Sequence, residues 1–136
     1  MFWKFAETIS VAKKNKNGGS IINVSSIGGE LGFPNNPAYI SSKSGLIGLT
    51  KSFARDYGKF NINVNAVLPG YFNTDMNKKS YNNRSKRNKR SNLTMLSRWG
   101  KMNELVGTII FLATNEAKYI TGQKIIVDGG MASKAL

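Results

Sequence analysis

Among its 136 residues the sequence has no cysteine and no histidine. The first absence excludes disulfides, thiolate nucleophiles and Cys-type zinc sites. The second excludes the Ser-His-Asp triad and imidazole metal ligands. Acidic residues are few. Glu7, Glu30, Asp56, Asp75, Glu104, Glu116 and Asp128 stand singly, so no carboxylate cage for a metal is visible. Long apolar runs are also missing. The longest near the C-terminus, Thr108 to Ala113, falls far short of the ~20 residues that a membrane-spanning helix needs. Lys4 and Glu7 interrupt any secretory apolar stretch near the N-terminus, so the expectation is a cytoplasmic setting without a membrane. Enzymatic proton chemistry, if present, must run on Tyr, Lys, Ser, Asp or Glu, or on a cofactor.

What is present is basic charge, unevenly spread. Twenty Lys and Arg face seven acids, a net charge of +13. From Met76 to Asn103 there is no acid but nine bases: Lys78, Lys79, Arg84, Lys86, Arg87, Lys89, Arg90, Arg98 and Lys101. Such a segment suits an anionic partner or a solvated surface. Its core, KKSYNNRSKRNKR, also has a nucleic-acid reading, with Tyr81 available to stack on a base, although no binding motif accompanies the charge.

Length allows one domain. Periodicity predicts alternating helix and strand. Phe2, Phe5, Ala6 and Ile9 follow helical spacing over 2–14, and Asn17-Gly18-Gly19 stops that helix. The β-branched run 20–24, SIINV, predicts a buried strand. A loop over 25–36 follows. Asn36 is placed to cap a helix with Pro37 at its first position, running to Tyr57 and ended by Gly58. A second strand is expected over 62–68, broken by Pro69-Gly70, then one or two polar helices over 75–90. Asn103 is a plausible cap for a helix over 104–113, and 123–127 reads as the third strand. This order predicts an α/β fold, a parallel sheet covered by helices. Three strands make a small sheet with two edges to cover. No strand precedes the first helix, so the chain reads as the second half of a larger α/β domain.

Three residues stand out. Tyr39 and Lys43 are spaced i, i+4 and so share one helix face, near the helix N-terminus. An unperturbed tyrosine, with a pKa of about 10, is a poor base at neutral pH. An adjacent ammonium and a helix N-terminus both favour a phenolate. A tyrosine so placed can pass a proton to or from an alcohol or carbonyl oxygen. Ser26, at the end of the preceding strand, can hydrogen-bond the same oxygen. That is a carbonyl/alcohol site which still needs a hydride carrier. A bare Tyr-x-x-x-Lys match is weak, and the alternative is an ordinary helix pair beside a loop hydroxyl. Here a strand ends in the serine, and a second strand ends in Pro-Gly.

With those features together, the sequence resembles the short-chain dehydrogenase/reductase family along nearly its whole length. GGSIINVSS is similar to the strand that delivers the family's serine, and YISSK to its tyrosine–lysine pair. NINVNAVLPGYFNTDM resembles the next strand with its proline–glycine turn and threonine. The segment LSRWGKMNELVGTIIFLATNEAKYITGQKIIVDGG resembles the family's C-terminal end. LPGYFNTDM and LSRWGK are similar to sugar-acid dehydrogenases and to 3-oxoacyl-carrier-protein reductases.

The resemblance implies a Rossmann-like doubly wound sheet and NAD or NADP as cofactor. It implies Tyr39 as general acid/base. It implies Lys43 as the cation that favours the phenolate and bonds the nicotinamide ribose, and Ser26 as the group that orients the substrate oxygen. Pro69 and Gly70 would let backbone approach the nicotinamide, while Phe72 and Thr74 would contact the cofactor. Residues 76–100 would form a basic lid over a small carbonyl or alcohol substrate, which could include a sugar acid, a phosphorylated sugar or an acyl-carrier protein. A homodimer or homotetramer is implied, with Phe2, Trp3, Phe5, Phe53, Ala54 and Tyr57 near the contact. Trp99 is expected to pack, or to border the substrate.

The sequence also departs from the family. Its only glycine-rich candidate for a dinucleotide loop, Gly28-Gly29-Glu30-Leu31-Gly32, is followed by Pro34 and Pro37 with no helix expected to open on it. The family's catalytic asparagine and the residue that selects between the two nucleotides fall outside the chain. The expectation is therefore residues 1–136 as the C-terminal part of one Rossmann-like domain, a fragment of a protein roughly twice as long. Alternatives are a catalytically incompetent fragment that needs a partner chain, and a basic nucleic-acid-binding protein.

Overall fold

The computed structural model describes residues 18–134. The helix expected over 2–14, with Phe2, Trp3 and Phe5, lies outside the described residues. Within them, three strands form one parallel sheet in the order β1-β2-β3: β1 Gly19–Val24, β2 Ile62–Pro69 and β3 Lys124–Val127. Ile21 pairs with Val64, and Val67 with Ile125, so β2 is the central strand. The β-branched composition of these runs suits a sheet covered on both faces.

Period-two alternation along β2 sends its side chains to two layers. Ile62, Val64, Ala66 and Leu68 pack toward α2 (Pro37–Tyr57), meeting Ala54 and Ile47. Val67 faces the other way and meets Leu105 and Leu112 of α5 (Met102–Ala113). Helices on both faces of a parallel sheet make the arrangement doubly wound, as expected. Ala54 belongs to the intrachain core with Ile21, and Phe53 and Tyr57 pack against that cluster. No helix among the described residues is long and apolar enough to cross a membrane.

Three details differ from the sequence expectation. Residues 25–36 are not all loop, because Gly28–Leu31 form one helical turn, α1. Asn36 precedes Pro37 as expected, yet its side chain makes no capping bond. The last predicted helix starts at Met102 with Lys101, not Asn103, at the N-cap position, because Glu104 reaches back to accept a bond from the Lys101 N–H at 2.7 Å. The polar stretch forms two short helices, within the expectation, α3 (Lys78–Asn82) and α4 (Arg84–Ser91), and Asn83 caps the second by accepting from Lys86 N–H at 3.0 Å.

The basic segment is anchored at its far end. Thr94 is buried, and its Oγ1 both donates to the Ser91 carbonyl at 2.9 Å and accepts from the Arg98 N–H at 3.2 Å. Arg98 grips Glu104 through two nitrogens, at 2.9 and 2.6 Å. The Arg98 hydrogen bond first, then the Lys101 N–H, holds the Glu104 carboxyl down at about 2, from an ordinary 4.5. A carboxyl whose folded pKa is depressed stabilises the fold above its unfolded pKa and ceases to do so as acid protonates it. The stability difference between the parent and Glu104→Gln is therefore expected to be constant at neutral pH. It should shrink as pH falls from 4.5 toward 2. Urea midpoints measured across that range check this, and a difference that widens on acidification would contradict it.

Candidate active site

The site lies at the C-terminal ends of β1 and β2, where parallel α/β sheets bind ligands. β1 ends at Val24, and the next two residues, Ser25 and Ser26, are buried. Two bonds tie this strand end to the second turn of α2. The Lys43 Nζ donates to the Val24 carbonyl at 3.0 Å, and the Ser25 Oγ donates to the Lys43 carbonyl at 2.8 Å. Deeper in the sheet, the Asn23 amide donates to Thr50 Oγ1 at 2.9 Å, and that hydroxyl donates to the Leu46 carbonyl at 2.8 Å. These contacts set α2 over β1, bringing the first turns of the helix beside the serine.

Lys43 Nζ lies 5.7 Å from the centre of the Tyr39 ring, as i, i+4 spacing on one helix requires. Tyr39 is half-buried in the first turn of α2, and its hydroxyl makes no hydrogen bond to another described residue. Ser26 Oγ accepts from the Gly28 N–H at 3.1 Å, which fixes the oxygen and leaves its O–H unspent. The Lys43 ammonium thus sits at this strand end with the Tyr39 ring beside it on the helix, the Ser26 hydroxyl follows the same strand, and each of the three keeps a free donor. Such a set can hold and protonate a carbonyl oxygen, or take the proton of an alcohol.

The second strand end supplies further expected residues. Ile27 N–H donates to the Pro69 carbonyl at 3.0 Å and thereby joins the serine loop to β2. A Cβ on Gly70 would lie 2.7 Å from the Asp128 Cα. The close approach that requires glycine there is thus to the turn after β3, where Gly70 N–H bonds the Val127 carbonyl at 2.9 Å. Phe72 is buried against Gly100, and its carbonyl accepts from the Asn77 amide at 3.2 Å. Thr74 is half-buried, and its hydroxyl makes no bond with a described residue. Trp99 is buried, and its indole N–H donates to the Arg87 carbonyl at 3.1 Å.

The fit to a nicotinamide nucleotide is partial. The Lys43 ammonium has three donors and spends one on a described residue, and the Thr74 hydroxyl is free; both suit the hydroxyls and amide of a nicotinamide riboside. A phosphate cradle is not found in Gly28–Gly32. A Cβ on Gly28 would meet the Phe33 ring at 3.0 Å, and one on Gly29 the Lys43 backbone at 2.9 Å. Those glycines serve packing between α1 and α2, as spacing in the sequence could not reveal. No group of three or more potential metal-ligating residues gathers among the described residues.

Comparisons with known proteins agree with this geometry. A family model described as Enoyl-(Acyl carrier protein) reductase matches residues 3–132. A 3-oxoacyl-[acyl-carrier-protein] reductase of Staphylococcus aureus is 45% identical over 115 residues, which are 83% of this chain and 45% of that protein. An L-rhamnose 1-dehydrogenase (NAD(P)(+)) of Azotobacter vinelandii is 40% identical over 119 residues, 88% of this chain and 46% of that protein. Among solved structures, a gluconate 5-dehydrogenase from Burkholderia cenocepacia in complex with NADP and tartrate superposes with a TM-score of 0.87. It is 32% identical, over 96% of this chain and 49% of that one. A 4-hydroxyisoleucine dehydrogenase complexed with NADH gives a TM-score of 0.92 at 32% identity, over 98% of this chain and 55% of that one. The chain spans about half the length of these relatives. Strand order, the serine at one strand end and the tyrosine–lysine face beside it thus coincide with a match along almost the whole sequence, and the chain belongs to the short-chain dehydrogenase/reductase family.

Proposed function

We propose that this chain carries the proton-transfer half of an NAD(P)-dependent oxidoreductase that interconverts a carbonyl and a secondary alcohol. The observation that supports this best is the joint placement of Ser26, Tyr39 and Lys43. One bond to the last residue of β1 and one from Ser25 hold α2 at this strand end, which supports that placement, and the hydroxyls of Ser26 and Tyr39 remain available. In this reading Tyr39 donates its proton to the substrate oxygen during reduction and removes it during oxidation. Ser26 donates a hydrogen bond to the same oxygen, which grows stronger as negative charge develops there. Its Oγ is already oriented by the Gly28 N–H, so little reorganisation is needed. Lys43 stabilises the phenolate that each reduction leaves on Tyr39 and holds the ribose. Pro69, Gly70, Phe72 and Thr74 form the nicotinamide end of the cofactor site. A bound nicotinamide nucleotide would supply or accept the hydride.

The acyl-carrier-protein reductase and the sugar and hydroxy-acid dehydrogenases among the relatives suggest a hydroxy or oxo compound as substrate. An oligomer built on the sheet-covering helices fits the family. Lys43→Ala is expected to lower turnover and to weaken nucleotide binding together, because one ammonium serves both. Unchanged affinity in a nucleotide titration would remove the ribose contact from this account.

A second reading is favoured by β1, whose outer edge has no strand partner among the described residues and whose Val24 is 47% exposed. There the chain binds nucleotide only when further strands cover that edge. A nucleotide titration of the chain alone separates the two, since saturable binding excludes the second. The nucleic-acid reading has less support. Tyr81, the ring proposed to stack on a base, packs edge-on against Trp99 at 5.2 Å with Arg87 over its face at 5.5 Å.

A further inference from the structure

The basic segment sets one guanidinium against two aromatic rings. The Arg90 guanidinium lies 4.7 Å from the centre of the Tyr71 ring and 5.7 Å from that of Trp99. Its Nη1 is buried without a hydrogen-bond partner, and no other nitrogen of its side chain bonds a described residue. A guanidinium carries five N–H donors. Two aromatic faces hold this one in place and satisfy none of them. By contrast, Arg98 is neutralised by Glu104, and the Lys86 and Lys89 side chains are exposed.

The ring beneath Arg90 belongs to a wall that runs to the candidate active site. Tyr71 follows Pro69-Gly70 at the end of β2 and stacks on Phe33, with centroids 6.4 Å apart and planes 6° from parallel. Phe33 in turn covers Gly28, whose N–H holds Ser26 Oγ. Ile40, the neighbour of Tyr39, closes over the same glycine. The sequence Ser26, Gly28, Phe33, Tyr71, Arg90 is thus continuous in space. It leads from the oxygen-holding hydroxyl to an unpaired cation.

Resting on the oxidoreductase reading above, we propose that Arg90 anchors a carboxylate at the far end of the substrate, making hydroxy acids and oxo acids the substrate class. The carboxylate would accept from Nε and Nη2, the Arg90 nitrogens that are neither bonded nor buried, and the carbon chain would lie along Phe33 and Tyr71 toward Ser26 and Tyr39. A guanidinium fork matches a carboxylate in shape as well as charge. The stack on Tyr71 and Trp99 presets its orientation before substrate arrives.

The test uses the intact protein in a Trp3→Phe background, where Trp99 is the sole tryptophan and reports on Arg90 beside it. Lactate, malate, gluconate and the uncharged sorbitol are titrated with and without NADP, with inorganic phosphate as a further probe. The expected result is a saturable change in Trp99 emission for at least one hydroxy acid and none for sorbitol. Arg90→Gln is expected to weaken it about tenfold or more, the loss of a charge-assisted bond. Lys89→Gln removes the same charge from the same helix and is expected to change nothing. Silence from every hydroxy acid with nucleotide binding intact overturns the anchor. So does an equal response to sorbitol, a response to phosphate alone, or an equal loss in Lys89→Gln. Should Arg90→Gln fail to fold, Arg90→Lys keeps the charge but not the fork, and undiminished affinity there overturns the proposal. Hydroxy acids that bind through Arg90 yet are never oxidised would overturn the redox reading instead. Turnover of a neutral alcohol without hydroxy-acid binding would overturn the anchor alone.

Discussion

Replacing Tyr39 by phenylalanine is expected to lower turnover by about a hundredfold to ten-thousandfold, the usual contribution of a positioned general acid–base. Nucleotide affinity is expected to stay near that of the parent. The substitution removes one hydroxyl, which bonds no described residue, from a half-buried ring in the first turn of α2. Neither the Lys43–Val24 bond nor the Ser25–Lys43 bond involves it, so the strand end and helix stay together. Steady-state rates and a nucleotide titration on the same preparation check both halves. Turnover retained within a few fold would remove Tyr39 from the proton path. Loss of nucleotide binding at the same time would point instead to a structural role for the phenol.

The largest expected stability effect is at Leu68. Its side chain is fully buried beside Ile47 and Ala66, on the β2 face that meets α2. Leu68→Ala is expected to cost ~2–5 kcal/mol, combining lost transfer free energy with the cavity left behind. That is a large share of the ~5–15 kcal/mol that holds a domain together. The cavity would open one residue before Pro69-Gly70, so the candidate site should loosen as well. Leu31→Ala is the control, because that side chain is 45% exposed and an exposed change usually stays within about 0.5 kcal/mol. Urea unfolding of both variants gives the comparison. Equal midpoints would mean that β2 is not the packed centre of the domain.

Sequence periodicity anticipated the strands and long helix well, for a physical reason. The parallel strands are covered on both faces and so must be short β-branched runs, and α2 begins where Pro37 allows, while Gly58 stays right-handed in a short 3-10 turn over Gly58–Phe60 and the chain turns at the left-handed Asn61. The weaker signals failed where a side chain outcompeted a cap. Asn103 lost the N-cap position to Lys101 because Glu104, held by Arg98, reaches that backbone N–H. The prolines after Gly28 and Gly29 already counted against a phosphate loop, and packing shows what those glycines serve, since the space a Cβ would fill belongs to Phe33 and Lys43. Gly70 likewise makes room for Asp128.

The sequence by itself determined the layer order of this protein and the pairing of Tyr39 with Lys43, because helical and strand periods are local properties of the chain. It also restricted the proton chemistry by omitting histidine and cysteine. Only the tertiary structure decided that the helix carrying this pair is tied to the strand end that precedes Ser26, through bonds between residues nineteen and eighteen positions apart. It alone distinguished Arg90 among the bases of its segment, since a charge run looks uniform until packing sets one guanidinium against two rings and leaves a buried nitrogen of it unbonded. Local spacing fixes which side chains share an element. Which elements meet, and which donors remain unspent when they do, is settled by burial across the whole sheet.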